Sequence, residues 1–161
     1  MSKHTLRPVR PSDAAAMLRI LEAAAAEGDS LPFERVDAAL IDQQWLKAPN
    51  CWLAETCGRI EGMYRMGPNM PGRGGHVASA TYIVAAAARG QGLGRRLVEH
   101  SLELARGQGY AGMQFNFVAA TNTAALRLYE SLEFRVVGSL PGAFRHASLG
   151  LVDALVLFRS L

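Results

Sequence analysis

A glycine-rich turn between a β-type run and a helical segment constrains the fold more than any other part of the chain. The β-type run is Ala80–Val84, the turn is Arg89–Gly94, and the helical pattern continues through Arg95, Leu97 and Leu102. Backbone N–H groups at a helix start have no partner within the helix and carry roughly half a positive charge. Because glycine has no Cβ atom, a bulky anion can approach these donors closely. The pattern therefore predicts a site for a pyrophosphate group.

The spacing of the glycines separates three kinds of phosphate loop. The dinucleotide fingerprint needs Gly-x-Gly-x-x-Gly, and here the third glycine, Gly94, comes one place early. A Walker loop needs Gly-Lys-Ser/Thr at its end, whereas Gly94 is followed by Arg95 and Arg96. The pattern that fits is Gln/Arg-x-x-Gly-x-Gly/Ala, with Arg89, Gly92 and Gly94 in its defining places. It resembles the coenzyme A loop of the GCN5-related N-acetyltransferases; the alternative is an ordinary strand-to-helix turn.

A second motif follows in the order that this family shows. The β-type run Gln114–Val118 precedes Asn122, which opens a predicted helix Thr123–Leu132 that carries Tyr129. Glu133-Phe134 stands where family members usually have Gly-Phe. The resemblance spans roughly half of the chain, and the remaining half is compatible with it.

The rest of the chain agrees with the α/β fold (α+β) of this family, in which helices flank a mixed, mainly antiparallel central sheet. The predicted order of elements is β-α-α-β-β-β-α-β-α-β-β within a single domain, 1–161. It includes a helix Glu34–Lys47, a loop Pro68–Gly75 and two final strands, Phe134–Ser139 and Asp153–Arg159.

Composition narrows the partners of the chain. The net charge of +3 suits an anionic cofactor but is too small to indicate nucleic acid. We find no membrane span and no signal peptide in the sequence, so we expect a cytoplasmic protein. Cys51 and Cys57 are the only cysteines, and we interpret them as reduced thiols rather than metal ligands. The resemblance implies acetyl-CoA as cosubstrate without a metal, and homodimers are common in the family.

The resemblance also implies where the cofactor binds. The pantetheine arm would lie beside Tyr82, Ile83 and Val84, and the backbone N–H of Val84 would face the thioester oxygen as an oxyanion donor. Asn122 would bond to the cofactor arm, or would simply cap its helix. The pyrophosphate would contact the residues of the loop: Arg89, Gly90, Gln91, Gly92, Leu93, Gly94 and Arg95.

Tyr129 is our candidate for the general acid. A phenol with a pKa near 10 stays neutral at pH 7 and can protonate a departing thiolate, whose thiol has a pKa near 8.5. The alternative is that Ala125, Leu128, Tyr129 and Leu132 form an ordinary apolar helix stripe. We assign no general base.

The acceptor is predicted to be the amine of a small molecule, such as an amino acid or an analogue. The chain resembles small-molecule acetyltransferases of the fungal proline-analogue (azetidine-2-carboxylate) type, in which two asparagines approach the substrate carboxylate. Asn116 matches one of them, and Ser79 replaces the other. Arg145, Tyr64 and Asn69 are further candidates for this pocket. The alternatives are a protein or peptide N-acetyltransferase and a non-catalytic module that binds acetyl-CoA.

Overall fold

The computed structural model describes residues 4–161, which form one seven-stranded sheet with helices on both faces. The strands are β1 (Thr5–Pro8), β2 (Asn50–Thr56), β3 (Arg59–Pro68), β4 (Val77–Val84), β5 (Gly112–Ala119), β6 (Arg135–His146) and β7 (Gly150–Ser160). The helices are α1 (Ala14–Glu27), α2 (Ala38–Leu40), which continues as a π-helix (Ile41–Leu46), α3 (Leu93–Gly107) and α4 (Thr123–Ser131). The strand order is β1-β2-β3-β4-β5-β7-β6, and only the β4–β5 pair is parallel. The predicted mixed, mainly antiparallel fold is confirmed.

Two apolar clusters cover the two faces of the sheet. On one face, Leu53 and Met63 pack with Met17 of α1 and Trp45 of the π-helix. On the other face, residues of α3 and α4 pack against β3, β4 and β5. Because successive strand residues point to opposite faces, β4 contributes side chains to both clusters. Ile83, for example, lies in the α1 cluster.

β4 and β5 separate soon after they meet. Their pairing is limited to Val77 with Gly112 and Ala78 with Met113, although both strands continue well beyond these residues. The β5–β7 pairing has a register shift between Phe115 and Val118, an irregularity that bends a strand. The divergence leaves an opening between β4 and β5 in the middle of the sheet.

Two predicted elements differ from the structure by more than three residues at one end. The helix predicted from Glu34 begins at Ala38, because the Asp37 side chain accepts a hydrogen bond from the N–H of Leu40 (2.9 Å) and caps the helix there. The strand predicted to end at Ser139 continues to His146. The Pro141-Gly142 turn is absorbed into β6 as an irregularity, where the Asp153 carboxylate accepts the Gly142 N–H (2.9 Å).

None of the helices in the described part, residues 4–161, is long and apolar enough to cross a membrane.

Candidate active site

The glycine-rich loop has the backbone conformation of an anion site. Gly90 and Gly92 have φ angles of +73° and +78°, which residues with a Cβ atom rarely adopt. Gly92 directly precedes α3, and its carbonyl accepts the N–H of Arg96 (3.2 Å). The N–H groups of Leu93 and Gly94 therefore lie at the open end of the helix, where an anion can accept them.

The two arginines of this loop have different partners. Arg89 forms two hydrogen bonds of 2.9 Å with the carboxylate of Glu27, which raise the pKa of Arg89. Its Nε also donates to the carbonyl of Val84 (3.3 Å). Arg95 donates to the Ser131 hydroxyl (2.6 Å) on α4. Arg89 therefore connects the loop to α1 and β4, and Arg95 connects it to α4.

A cleft of about 610 Å³ lies over this loop, between the end of β4, the start of α4 and the segment after α1. Most of the residues predicted to bind the cofactor line it: Tyr82, Ile83, Val84, Arg89, Gly90, Gly92, Leu93, Gly94, Arg95, Asn122 and Tyr129. Gln91 does not line it, because its side chain turns back to donate to the carbonyl of Ala87 (3.1 Å). We call this space the donor cleft.

The N–H of Val84 faces the opening between β4 and β5. The next residue, Ala85, donates its N–H to the carbonyl of Glu61 on β3 (2.9 Å). In an antiparallel ladder, successive residues direct their N–H groups to opposite sides of the strand. The N–H of Val84 is therefore directed away from β3, toward β5, as an oxyanion donor in the opening requires.

Tyr129 lies at the wall of the donor cleft. Its ring packs on Phe115 (4.6 Å between centroids) and Phe134 (5.8 Å), so Tyr129 also takes part in apolar packing. Burial raises the pKa of Tyr129 to about 12. Within residues 4–161 its hydroxyl has no hydrogen-bond partner, unlike that of Tyr82, which bonds to Ser101 (2.7 Å). The Tyr129 hydroxyl is therefore available to a ligand.

Asn122 caps α4, as one of its two interpretations predicts. Its Oδ1 accepts the N–H of Ala125 (3.3 Å), and the residue also borders the donor cleft. The cap leaves the side-chain amide of Asn122 free to donate to a ligand.

A second cleft of about 440 Å³ lies at the other end of β4, between β3, β5 and the π-helix. It brings together Ser79, Asn69 and Asn116, three of the predicted acceptor residues. The Asn116 amide donates to the Asn69 carbonyl oxygen (2.6 Å), which connects β5 to the end of β3. We call this space the acceptor cleft.

The other two predicted acceptor residues, Tyr64 and Arg145, lie elsewhere. Tyr64 is fully buried, and its hydroxyl bonds to His100 Nδ1 (2.7 Å), because its position in β3 directs it into the core under α3. Arg145 is exposed on β6 and lines neither cleft. Its neighbour His146 lines the donor cleft instead, because adjacent strand residues point to opposite sides.

Sequence reasoning missed Arg65, which lines the acceptor cleft. Arg65 is one residue from Tyr64 and therefore points to the opposite face of β3. A cation among uncharged residues, in the segment Gly62–Met66, was the signal that could have found it. Residues 4–161 contain no group of three or more His, Cys, Asp or Glu side chains that could hold a metal ion.

Comparison with known proteins decides the family. The model of the acetyltransferase (GNAT) family matches residues 16–134, a range that includes both sequence motifs. The chain belongs to this family. A GCN5-related N-acetyltransferase from Kribbella flavida has the same fold, with a TM-score of 0.94, 34% identity, and coverage of 99% of this chain and 98% of that one.

Two further relatives extend the comparison. The structure of yncA from Salmonella typhimurium, described as a putative acetyltransferase with its cofactor acetyl-CoA, has a TM-score of 0.85 and 25% identity over 99% of this chain and 95% of that one. The N-acetyltransferase aca1 of Schizosaccharomyces pombe is 35% identical over 96 residues, which are 59% of this chain and 46% of that relative. The matched part of this GNAT chain thus spans about half the length of that curated relative.

Proposed function

We propose that this protein transfers an acetyl group from acetyl-CoA to the amine of a small molecule, by direct attack within a ternary complex. The observation that carries the proposal is the divergence of β4 from β5, with a separate cleft at each end of β4. A donor and an acceptor can then approach the same opening from two sides.

The donor cleft fits the chemistry of acetyl-CoA. The N–H groups at the start of α3 and the side chain of Arg95 suit a pyrophosphate, which accepts several hydrogen bonds at once. The edge of β4 at Tyr82 and Val84 suits an extended amide chain such as pantetheine, because the backbone groups there face the opening. The bound thioester supplies an activated acetyl group.

Val84 and Tyr129 would act on the reacting atoms. The Val84 N–H would donate to the thioester oxygen as negative charge develops on it. The acceptor nitrogen forms a bond to the carbonyl carbon, the C–S bond breaks, and the Tyr129 hydroxyl donates its proton to the departing sulfur. Tyr129 then regains a proton from the ammonium of the adduct through solvent. Burial raises the pKa of Tyr129 to about 12 and makes the phenol a weaker acid. The same burial disfavours a thiolate formed beside it, which narrows the difference between the two pKa values.

The acceptor cleft favours a small molecule over a protein substrate. Its volume of about 440 Å³ lies within the range of small-molecule sites, roughly 300–1,000 Å³. The hydrogen bond between Asn116 and Asn69 crosses this side of the sheet (2.6 Å) and limits an open groove in which a peptide could lie.

Release of free thiol from acetyl-CoA, screened with amino acids, polyamines and peptides, tests the proposal. We expect small amines to stimulate release, and we expect Tyr129→Phe to lower kcat by about 100-fold or more while acetyl-CoA binding is retained. Stimulation by peptides alone would favour protein acetylation. Equal, negligible turnover by wild type and Tyr129→Phe, with both binding acetyl-CoA, would favour a binding module.

A further inference from the structure

We infer that Arg65 binds a carboxylate of the acceptor, so that the acceptor is an amine that also carries a carboxylate group. The inference rests on the proposed acetyl transfer and names both the substrate class and a residue that selects it. Three observations support it: the position of Arg65, its missing partners, and the charge of the cleft around it.

Arg65 is held in place in the wall of the acceptor cleft. It lies opposite Thr81 of β4, so the two side chains share one face of the sheet. Its Nη1 donates to the carbonyl of Gln44 (3.2 Å), and its guanidinium carbon lies 5.6 Å from the centroid of the Trp45 ring. These contacts with the π-helix orient the guanidinium without neutralising its charge.

The hydrogen-bonding capacity of Arg65 is not used up. Its Nε is the single buried side-chain nitrogen or oxygen in residues 4–161 that has no hydrogen-bond partner. In the same range, no Asp or Glu lies within ion-pair distance of Arg65. A partly buried guanidinium without a counter-charge is unfavourable, so this arrangement is expected where a ligand supplies the missing acceptor.

The surroundings of Arg65 provide no negative charge. The described residues that line the cleft include no Asp or Glu, and the other cation among them, Lys47, is paired with Asp42 (2.7 Å). Cys51 lies opposite Arg65 on β2, but burial raises the pKa of its thiol to about 12, so it is neutral at pH 7. The cleft therefore repels a simple ammonium ion and attracts an anion.

A carboxylate matches this site better than a neutral oxygen. It can accept two hydrogen bonds from a guanidinium and neutralise its charge, which a hydroxyl or amide oxygen cannot do. Asn116 and Ser79 border the same space and can donate further hydrogen bonds. An amino acid would thus be held by its carboxylate while its amine faces the opening between β4 and β5.

The test compares amino acids with their decarboxylated amines, for wild type, Arg65→Gln, Arg65→Lys and the control Arg106→Gln, at an exposed arginine of α3 that lines neither the donor cleft nor the acceptor cleft. For wild type, we expect kcat/KM to be higher with the amino acid than with its decarboxylated amine. Arg65→Gln should raise KM for the acid by about 10- to 100-fold and leave KM for the amine unchanged. Arg65→Lys keeps the positive charge but loses the paired N–H donors of the guanidinium. Its KM for the acid should therefore lie between the values for wild type and Arg65→Gln. Arg106→Gln should have the kinetics of wild type with both the acid and the amine. Equal kinetics of wild type and Arg65→Gln with the acid would overturn the inference.

A binding measurement separates this inference from the proposed function. N-acetylglycine and N-acetylglycinamide are titrated by calorimetry into the protein saturated with coenzyme A. If Arg65 binds the carboxylate, N-acetylglycine binds more tightly than the amide, and Arg65→Gln removes the difference, whether or not any amine is turned over. If amines are turned over but N-acetylglycine and N-acetylglycinamide bind equally well, the role of Arg65 is refuted and the proposed acetyl transfer is not. Thermal melting and acetyl-CoA affinity show whether each variant is folded. If Arg65→Gln is not folded, the same comparison is made with Arg65→Lys.

Discussion

The carboxylate of Glu27, at the end of α1, holds the guanidinium of Arg89 through two hydrogen bonds of 2.9 Å. The same guanidinium donates through Nε to the carbonyl of Val84, two residues beyond Tyr82 (3.3 Å). One side chain thus joins α1, the edge of β4 and the first residue of the glycine-rich loop. The carboxylate of Glu27 is thereby held at the border of the donor cleft, where it contributes a negative charge.

This ion pair predicts opposite effects of its two partners on acetyl-CoA affinity. Arg89→Gln leaves the Glu27 charge unpaired at the border of the donor cleft, where we propose that the pyrophosphate binds. We therefore expect affinity to fall about five- to tenfold, equivalent to roughly 1 kcal/mol. Glu27→Gln removes the repulsion and frees Arg89, so affinity should rise. Calorimetric titration of acetyl-CoA at two salt concentrations measures both, and the differences should shrink at high salt. A fall in affinity for Glu27→Gln would contradict the electrostatic account.

Gly92 is expected to be needed for its backbone conformation. Nothing lies within 4 Å of a Cβ atom at Gly92, so Gly92→Ala creates no clash. The substitution is unfavourable because alanine is strained at the φ of +78° that Gly92 adopts. We expect a loss of about 1–2 kcal/mol in the free energy of unfolding and weaker acetyl-CoA binding. Gly107→Ala is the matched control, because Gly107 is helical and equally uncrowded. It should stabilise the protein by up to about 1 kcal/mol. Urea unfolding measures the free energy of unfolding of both variants. Equal changes for Gly92→Ala and Gly107→Ala would rule out the conformational explanation.

The pH dependence of kcat should show no alkaline loss caused by Tyr129. Burial raises the pKa of Tyr129 to about 12, so the phenol keeps its proton well above the range where an unperturbed tyrosine loses it. The rate difference between wild type and Tyr129→Phe should therefore be constant from about pH 7 to pH 10. Stopped-flow thiol release at saturating substrates measures it. A difference that disappears toward pH 10 would mean that Tyr129 titrates normally and is not buried as described.

Asp13 should stabilise the fold in a pH-dependent way. Its carboxylate accepts hydrogen bonds from Arg7 (2.8 and 2.9 Å) and from the N–H of Arg10 (2.7 Å), and the Arg7 guanidinium lowers the pKa of Asp13. The contribution is present above the unfolded pKa, near 3.9, and is lost as pH falls through the lower folded pKa. At pH 7, Asp13→Asn should cost about 1.5–3 kcal/mol, and the cost should diminish toward pH 2.

Asp42→Asn serves as the control for Asp13→Asn. Asp42 pairs with Lys47 at the surface (2.7 Å), with both side chains more than half exposed. Surface pairs contribute only about 0–1 kcal/mol, so this variant should unfold almost as wild type at every pH. Chemical unfolding monitored from pH 2 to pH 7 compares the two. A cost for Asp13→Asn that does not vary with pH would show that the ionised pair is not its source.

Local patterns accounted for the elements that form the donor cleft. The glycine spacing predicted the loop, because φ values of +73° and +78° at Gly90 and Gly92 need residues without a Cβ atom. The cap of α4 by Asn122 was also predicted, because a cap contacts only the next few residues. The end of β6 was mispredicted, since Pro141-Gly142 reads as a turn until Asp153 of β7 pairs with it.

The amino-acid sequence alone determined the family resemblance and the position of the glycine-rich loop, since both depend on residues that are close together along the chain. Only the tertiary structure decided which side chains line the acceptor cleft. Tyr64 and Arg65 are adjacent in the sequence, yet one lies in the core and the other lines the acceptor cleft. The face that a strand residue occupies depends on the register with its neighbouring strands, and register is set by partners far away along the chain. For the same reason, Asn69 and Asn116, 47 residues apart, meet at 2.6 Å.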